Sequence, residues 1–153
     1  MAEFVMKNLV QDLPAGSPLA GTDFEIASAA TSTEEIGNPV YPPARRMLAT
    51  HGIDCSGKTA RQMTARDYGY YDYIVLMDRN NLRHLRWILP TDIYARETCG
   101  KAENRKVSLL MDWAGESRDV ADPWYTGDFV ATWDDVNEGC KAMLAQIGPP
   151  LQD

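Results

Sequence analysis

The chain has 153 residues, 44 % of them apolar and 24 % charged, with a net charge of −7 at neutral pH, a size and composition that suit one soluble domain with a substantial core. The acidic balance excludes generic binding to nucleic acid or to an anionic membrane, both of which need basic surface. No apolar run is long enough to span a bilayer, and "MAEFVMKNLV" lacks the basic start and continuous apolar centre of a signal peptide, so a reducing cytoplasm is the expected compartment. The three cysteines, Cys55, Cys99 and Cys140, cannot all pair, and their spacing fits no metal knuckle. Neither a metal nor a cofactor is expected.

In chain order, Phe4, Val5, Leu9 and Val10 mark one face of a helix that begins at the first residue with no cap before it. Pro14, Gly16 and Pro18 form a loop, and Asp23 to Ala30 ("DFEIASAA") reads as a short buried strand. After the polar loop "TSTEEIGNPVYPP", Pro42 and Pro43 suit the first turn of a helix carrying Ala44, Met47 and Leu48, with Gly52 at its left-handed end. Tyr71 to Asp78 ("YDYIVLMD") is a strand whose run Ile74–Met77 suits burial on both faces. Asp78 caps a helix with Leu82, Leu85 and Ile88 or Leu89 as its stripe. Lys106 to Trp113 is a third strand. Phe129, Trp133, Val136, Cys140 and Met143 then line a long amphipathic helix, stopped by Gly148-Pro149-Pro150. Strands alternating with helices predict a parallel sheet covered on both faces.

One stretch invites a catalytic reading. "CSGKTAR", Cys55 to Arg61, has the C-x5-R spacing of a phosphatase loop, where a thiolate attacks phosphorus and arginine clamps the phosphate oxygens. That chemistry needs the cysteine at a strand's end, with backbone N–H groups and a helix N-terminus aimed at the anion. Cys55 instead follows Gly52 at a helix C-terminus, where the dipole opposes a thiolate. A strand starting near Tyr71 also leaves no room for a long helix after Arg61. The stretch is read as an accident of spacing.

Several segments carry a wider likeness: "MAEFVMKNLV", "SAATSTEEIGNPVYPPARRMLATHGI", "KTARQMT", "YDYIVLMDRNNLRHL" and "DPWYTGDF". In order and spacing the chain resembles the low-molecular-weight protein tyrosine phosphatases, and related arsenate reductases, over nearly its whole length. The resemblance implies an α/β fold, a three-layer sandwich around a short parallel sheet with helices on both faces. One domain is expected over residues 1–148, with a tail at 149–153. The family places its central first strand and C-x5-R-S nucleophile loop just ahead of the helix that starts this sequence. Both are therefore expected to be missing from these residues, with no nucleophile among them.

Asp122, in "DPWYTGDF", reads by itself either as a capping aspartate before a proline turn or as an acid on a stiffened loop; the resemblance implies the general acid and base. Trp124 and Tyr125 are the expected wall for a phenyl group, and they would lower the dielectric around the carboxyl. Glu34 and Glu35 fall where some family members carry an aromatic on the opposite wall. They read either as solvated loop charges or as groups favouring substrates with basic neighbours. Family members in eukaryotes support the catalytic loop with a histidine near the position of Lys58, so that support must differ here. His51 and His84 carry no expected catalytic role, and His84 is placed toward solvent. Tyr70, Tyr71 and Tyr73 are a tyrosine cluster that the resemblance hints is phosphorylatable. Cys99 reads as a loop thiol and Cys140 as core.

The function implied is hydrolysis of a phosphotyrosine protein or small aryl phosphate through a phosphocysteine intermediate, with these residues alone inactive. A non-catalytic binding or assembly module is the alternative, and arsenate reduction ranks below it because Cys99 has no second cysteine nearby. Strands robbed of a central partner expose ladder groups, so a strand-donating or self-associating partner is also expected.

Overall fold

The computed structural model describes residues 1–123 and 127–148. Helix α1 (Ala2–Gln11) opens the chain, followed by α2 (Pro42–Thr50) and α3 (Ala65–Tyr70). Strand β1 (Ile74–Leu76) leads into α4 (Arg79–His84) and α5 (Thr91–Cys99). Strand β2 (Val107–Leu109) runs straight into α6 (Leu110–Trp113), and α7 (Phe129–Gln146) is the longest helix among the described residues.

β1 and β2 pair in parallel, Ile74 opposite Val107 and Leu76 opposite Leu109. Because successive strand side chains point to opposite faces, β1 feeds two separate cores. Ile74 and Leu76 join Tyr68 of α3, Leu85, Leu89 and Val107. Val75 and Met77 pack on the other side, against Val5 of α1, Leu48 of α2, Met111 of α6 and Val136 and Cys140 of α7. Helices therefore cover both faces of a small parallel sheet, as expected. Leu48 and Leu85, each fully buried, anchor the two cores; a leucine so placed contributes about 1.5–3 kcal/mol.

Local signals explain the helix ends. Pro42 and Pro43 occupy the first positions of α2, and Gly52 takes a positive φ of 74° just beyond it. Asp78 caps α4, accepting the Asn81 N–H at 2.7 Å. Asp128 caps α7, accepting from Ala131 N–H at 2.9 Å. α1 starts at Met1 with no side-chain cap.

Four expectations are corrected. Residues 23–29 form no ladder, and only Ala30 bridges, to Gln62; among the described residues the named sheet has two strands. Alternation of Phe24 and Ile26 describes half-burial of an extended segment, and a strand needs a hydrogen-bonded neighbour as well. The strand expected over 106–113 ends at Leu109, where the Leu109 N–H bonds the Asp112 carboxylate at 3.3 Å and starts α6. The helix expected from Asp78 to Leu89 breaks into α4 and a 3₁₀ turn at Leu85–Trp87, ahead of Pro90. Finally, α3 and α5 were not expected. Thr64 and Asp67 supply a capping box for α3, an arrangement readable from their spacing.

No helix among the described residues is long and apolar enough to cross a membrane.

Candidate active site

In parallel sheets, ligands bind beyond the carboxyl ends of the strands. Here that end is where β1 gives way to Asp78 and α4, and the loop bearing Asp122 is tied to it. The Val120 N–H donates to the Met77 carbonyl at 2.9 Å. Asp119 accepts the Arg79 N–H, at the start of α4, at 3.1 Å. α7 holds the same loop from behind: Thr132 Oγ1 donates to the Ala121 carbonyl at 2.8 Å. Asp135 accepts the Ala121 N–H at 3.3 Å and grips Arg118 through two contacts of 2.7 Å. Arg118 holds the Asp135 carboxyl below the ordinary carboxylate range. Asp122 follows, exposed, and Pro123 accepts the Gly127 N–H at 2.8 Å, turning the chain toward α7. Trp124 and Tyr125, and the tail 149–153, lie outside the described residues.

Glu34 and Glu35 are exposed on the loop preceding α2. Glu35 accepts from Asn38 Nδ2 at 2.7 Å, and Gly37, with φ at 84°, donates its N–H to the Ala60 carbonyl at 2.8 Å. Thr31 and His84 share a hydrogen bond of 3.2 Å, so His84 docks this loop onto α4 and does not face solvent as expected. At its far end Tyr41 meets Phe129, the first residue of α7, with ring centroids 6.1 Å apart. The two loops carrying Asp122 and Glu34–Glu35 are thus joined through α4 and through the start of α7.

"CSGKTAR" has a different environment. Cys55 is buried, 3 % exposed, within the α1–α2–α7 core. Arg61 is engaged by Asp67 through two hydrogen bonds of 2.8 and 3.0 Å. Lys58 Nζ turns to Glu3 Oε1 at 2.8 Å and to the Ser28 carbonyl at 3.0 Å. Ser28 Oγ also donates to Glu3, at 3.0 Å, and Lys7 reaches its other oxygen at 3.2 Å. Burial alone would raise the Glu3 pKa, but hydrogen bonds from Lys58, Ser28 and Lys7 outweigh it and hold the carboxyl below its usual range. Nothing in the sequence signals the partner that Lys58 takes, because Glu3 reads as an ordinary first-turn acid. Cys140 is core, its thiol pushed up to about 12 by burial, and Cys99 is exposed at the last position of α5.

The arrangement offers a carboxylate held at the mouth of a parallel sheet, facing solvent, with two acidic side chains on a neighbouring loop. Comparison with known proteins is consistent over the whole length. A family model described as low molecular weight phosphotyrosine protein phosphatase matches residues 1–152. The chain is 32 % identical over 149 residues to the low molecular weight protein-tyrosine-phosphatase YfkJ of Bacillus subtilis, covering 96 % of this chain and 86 % of that one. It is also 32 % identical to the mouse low molecular weight phosphotyrosine protein phosphatase, across 94 % and 84 % of the two chains. The crystal structure of YfkJ superimposes with a TM-score of 0.74 at 30 % identity, over 95 % of this chain and 84 % of its own. The low molecular weight protein tyrosine phosphatase of Streptococcus pyogenes does so at 0.68 and 32 % identity, over 95 % and 82 %. Sequence and fold agree in extent, and the chain belongs to the low molecular weight phosphotyrosine protein phosphatase family.

Proposed function

We propose that the protein hydrolyses phosphotyrosine in proteins, or small aryl phosphates, by two displacements at phosphorus. A thiolate attacks phosphorus, and the departing phenolate takes its proton from Asp122. Asp122, now a carboxylate, then accepts a proton from the water that attacks the phosphocysteine, releasing phosphate and restoring the thiolate. The observation that carries this reading is the bracing of the Asp122 loop at the carboxyl end of β1, in a chain of this family.

The nucleophile comes from a C-x5-R-S loop outside residues 1–153, and these residues alone turn over no substrate. In support, Cys55 is buried and Arg61 is already paired with Asp67. A strand that pairs beside residues 23–29, where no ladder forms, is proposed with that loop, as a preceding segment or as one donated by a partner. The action is cytoplasmic, and the free state of all three cysteines supports a reducing compartment. The domain spans residues 1–148.

Glu34 and Glu35 set the preference, disfavouring acidic and favouring basic residues beside the phosphotyrosine.

Turnover of p-nitrophenyl phosphate by residues 1–153 that disappears in Cys55→Ser overturns the location of the nucleophile. For the acid, Asp122→Asn in the full-length protein is expected to lower kcat on a phosphotyrosine peptide by about a hundredfold or more. A change under threefold overturns that role. Charge reversal, Glu34→Lys with Glu35→Lys, is expected to invert the kcat/KM preference between acidic and basic peptides. An unchanged ratio removes both residues from recognition.

A further inference from the structure

Asp135 stands on the buried side of α7, yet its partner Arg118 has a side chain 45 % exposed. An ion pair so open to water contributes little to stability, and α7 is already anchored by Val136, Cys140 and Met143. Stability is a poor explanation for so well-formed a contact, and its geometry suggests a different one.

Each Asp135 oxygen is assigned. Oδ1 accepts from Arg118 Nη2 at 2.7 Å, and Oδ2 accepts from Arg118 Nη1 at 2.7 Å and from the Ala121 N–H at 3.3 Å. The guanidinium fork fixes the carboxylate plane so that Oδ2 meets the backbone. Thr132, one turn earlier on the same helix face, donates to the Ala121 carbonyl at 2.8 Å. Val120 is meanwhile bonded to the end of β1 at 2.9 Å. Both backbone polar groups of Ala121 are therefore held by α7, one residue before Asp122.

We propose that Asp135, oriented by Arg118, is the positioning residue of the general acid: it fixes the Ala121 backbone and so sets where the Asp122 carboxyl stands relative to the leaving oxygen. The assignment rests on the reading of Asp122 as the acid. Its chemical consequence is selective. Protonation matters most for a poor leaving group and hardly at all for a good one, and misplacing a catalytic group by about 1 Å can cost on the order of a hundredfold. A loosened Asp135 contact therefore lowers kcat/KM, which reports the first displacement, only for those substrates that need the proton, while the shared hydrolysis of the phosphocysteine slows for all.

The test is a series of aryl phosphates with leaving-group pKa from about 4 to about 10, assayed on the full-length protein carrying Asp135→Asn, Arg118→Gln or Asp122→Asn. Asp135→Asn is expected to lower kcat/KM on phenyl phosphate by about tenfold or more while leaving kcat/KM on dinitrophenyl phosphate nearly unchanged, because that ratio reports the first displacement and not the later hydrolysis of the phosphocysteine. Added to Asp122→Asn it is expected to cause no further loss. Arg118→Gln, a change at the solvent side, is expected to show the same pattern and serves if Asp135→Asn folds poorly. Equal loss of kcat/KM on every substrate, no loss at all, or full additivity with Asp122→Asn overturns the positioning role while leaving the acid in place. Absence of turnover, or an Asp122→Asn effect on kcat/KM independent of leaving group, overturns the acid reading and this assignment with it.

Discussion

The interaction of Glu3 with Lys58 joins the first turn of α1 to a loop 55 residues away. Its carboxylate side chain is 3 % exposed, and a charge that deep is tolerable only while its partners remain. Lys58→Met removes the main one without removing the burial. The expected loss is about 3 kcal/mol of unfolding free energy, read as a fall in Tm of about 6–12 °C. Restoring a cation with Lys58→Arg should recover most of it; a Met variant as stable as the parent would show the cluster to be incidental. The sequence marks Lys58 as standing near the place of a family histidine, but its carboxylate partner was not legible. Single residues announce their type and leave their burial to the fold. Asp135 did leave a trace, since it falls beside the buried stripe of Thr132, Val136, Gly139 and Met143 on α7.

At the level of elements, β2 begins under the control of a buried side chain. Glu97 of α5, 2 % exposed, accepts the N–H groups of Lys106 at 3.1 Å and Val107 at 3.0 Å, and also the Tyr68 hydroxyl. It acts where a neighbouring strand's carbonyls could otherwise have served. Glu97→Ala strands three donors, and about 3–5 kcal/mol is the expected cost, read from the shift in urea midpoint. A second element-level test is at the crossing of α6 and α7, where a Cβ on Gly139 would lie 2.5 Å from Leu110 Cγ. Alanine gains about 1 kcal/mol of helix propensity there but forces a packed leucine aside. The net expectation for Gly139→Ala is a loss of about 1 kcal/mol, and a rise in Tm would show that the crossing gives way freely. Helices with strong periodicity, α1, α2 and α7, were read correctly from the sequence, as was the centre of β1. Among the segments that differ from expectation, 23–29 and 110–113 are short, and what decides them is a partner elsewhere in the chain or one local hydrogen bond.

Across the whole molecule, the pH dependence of stability centres on the buried Glu3 carboxyl. Hydrogen bonds from Lys58, Ser28 and Lys7 overcome its burial and hold it below its usual range, whereas Asp67 and Asp135, also held low, pair with half-exposed arginines and add little. A depressed carboxyl adds stability that is full above its unfolded pKa, about 4, and is lost as pH falls through the lower folded value. The urea midpoint is therefore expected to stay level from about pH 7 to 5 and to drop steeply below about pH 4; a level curve to pH 3 would refute the linkage. The two cores on opposite faces of β1 make the fold class readable from one apolar run, Ile74 to Met77. What that run could not disclose is how the chain returns on itself. α1 packs against α7, with Cys140 Sγ 3.9 Å from the Ala2 carbonyl, 138 positions earlier in the chain. During synthesis, α1 must therefore wait for α7. Until α7 emerges from the ribosome, the apolar face of α1 has only the partial cover of its shared core with α2 and α6, and the late closure of so long a loop makes this seam the slow and exposed stage of folding.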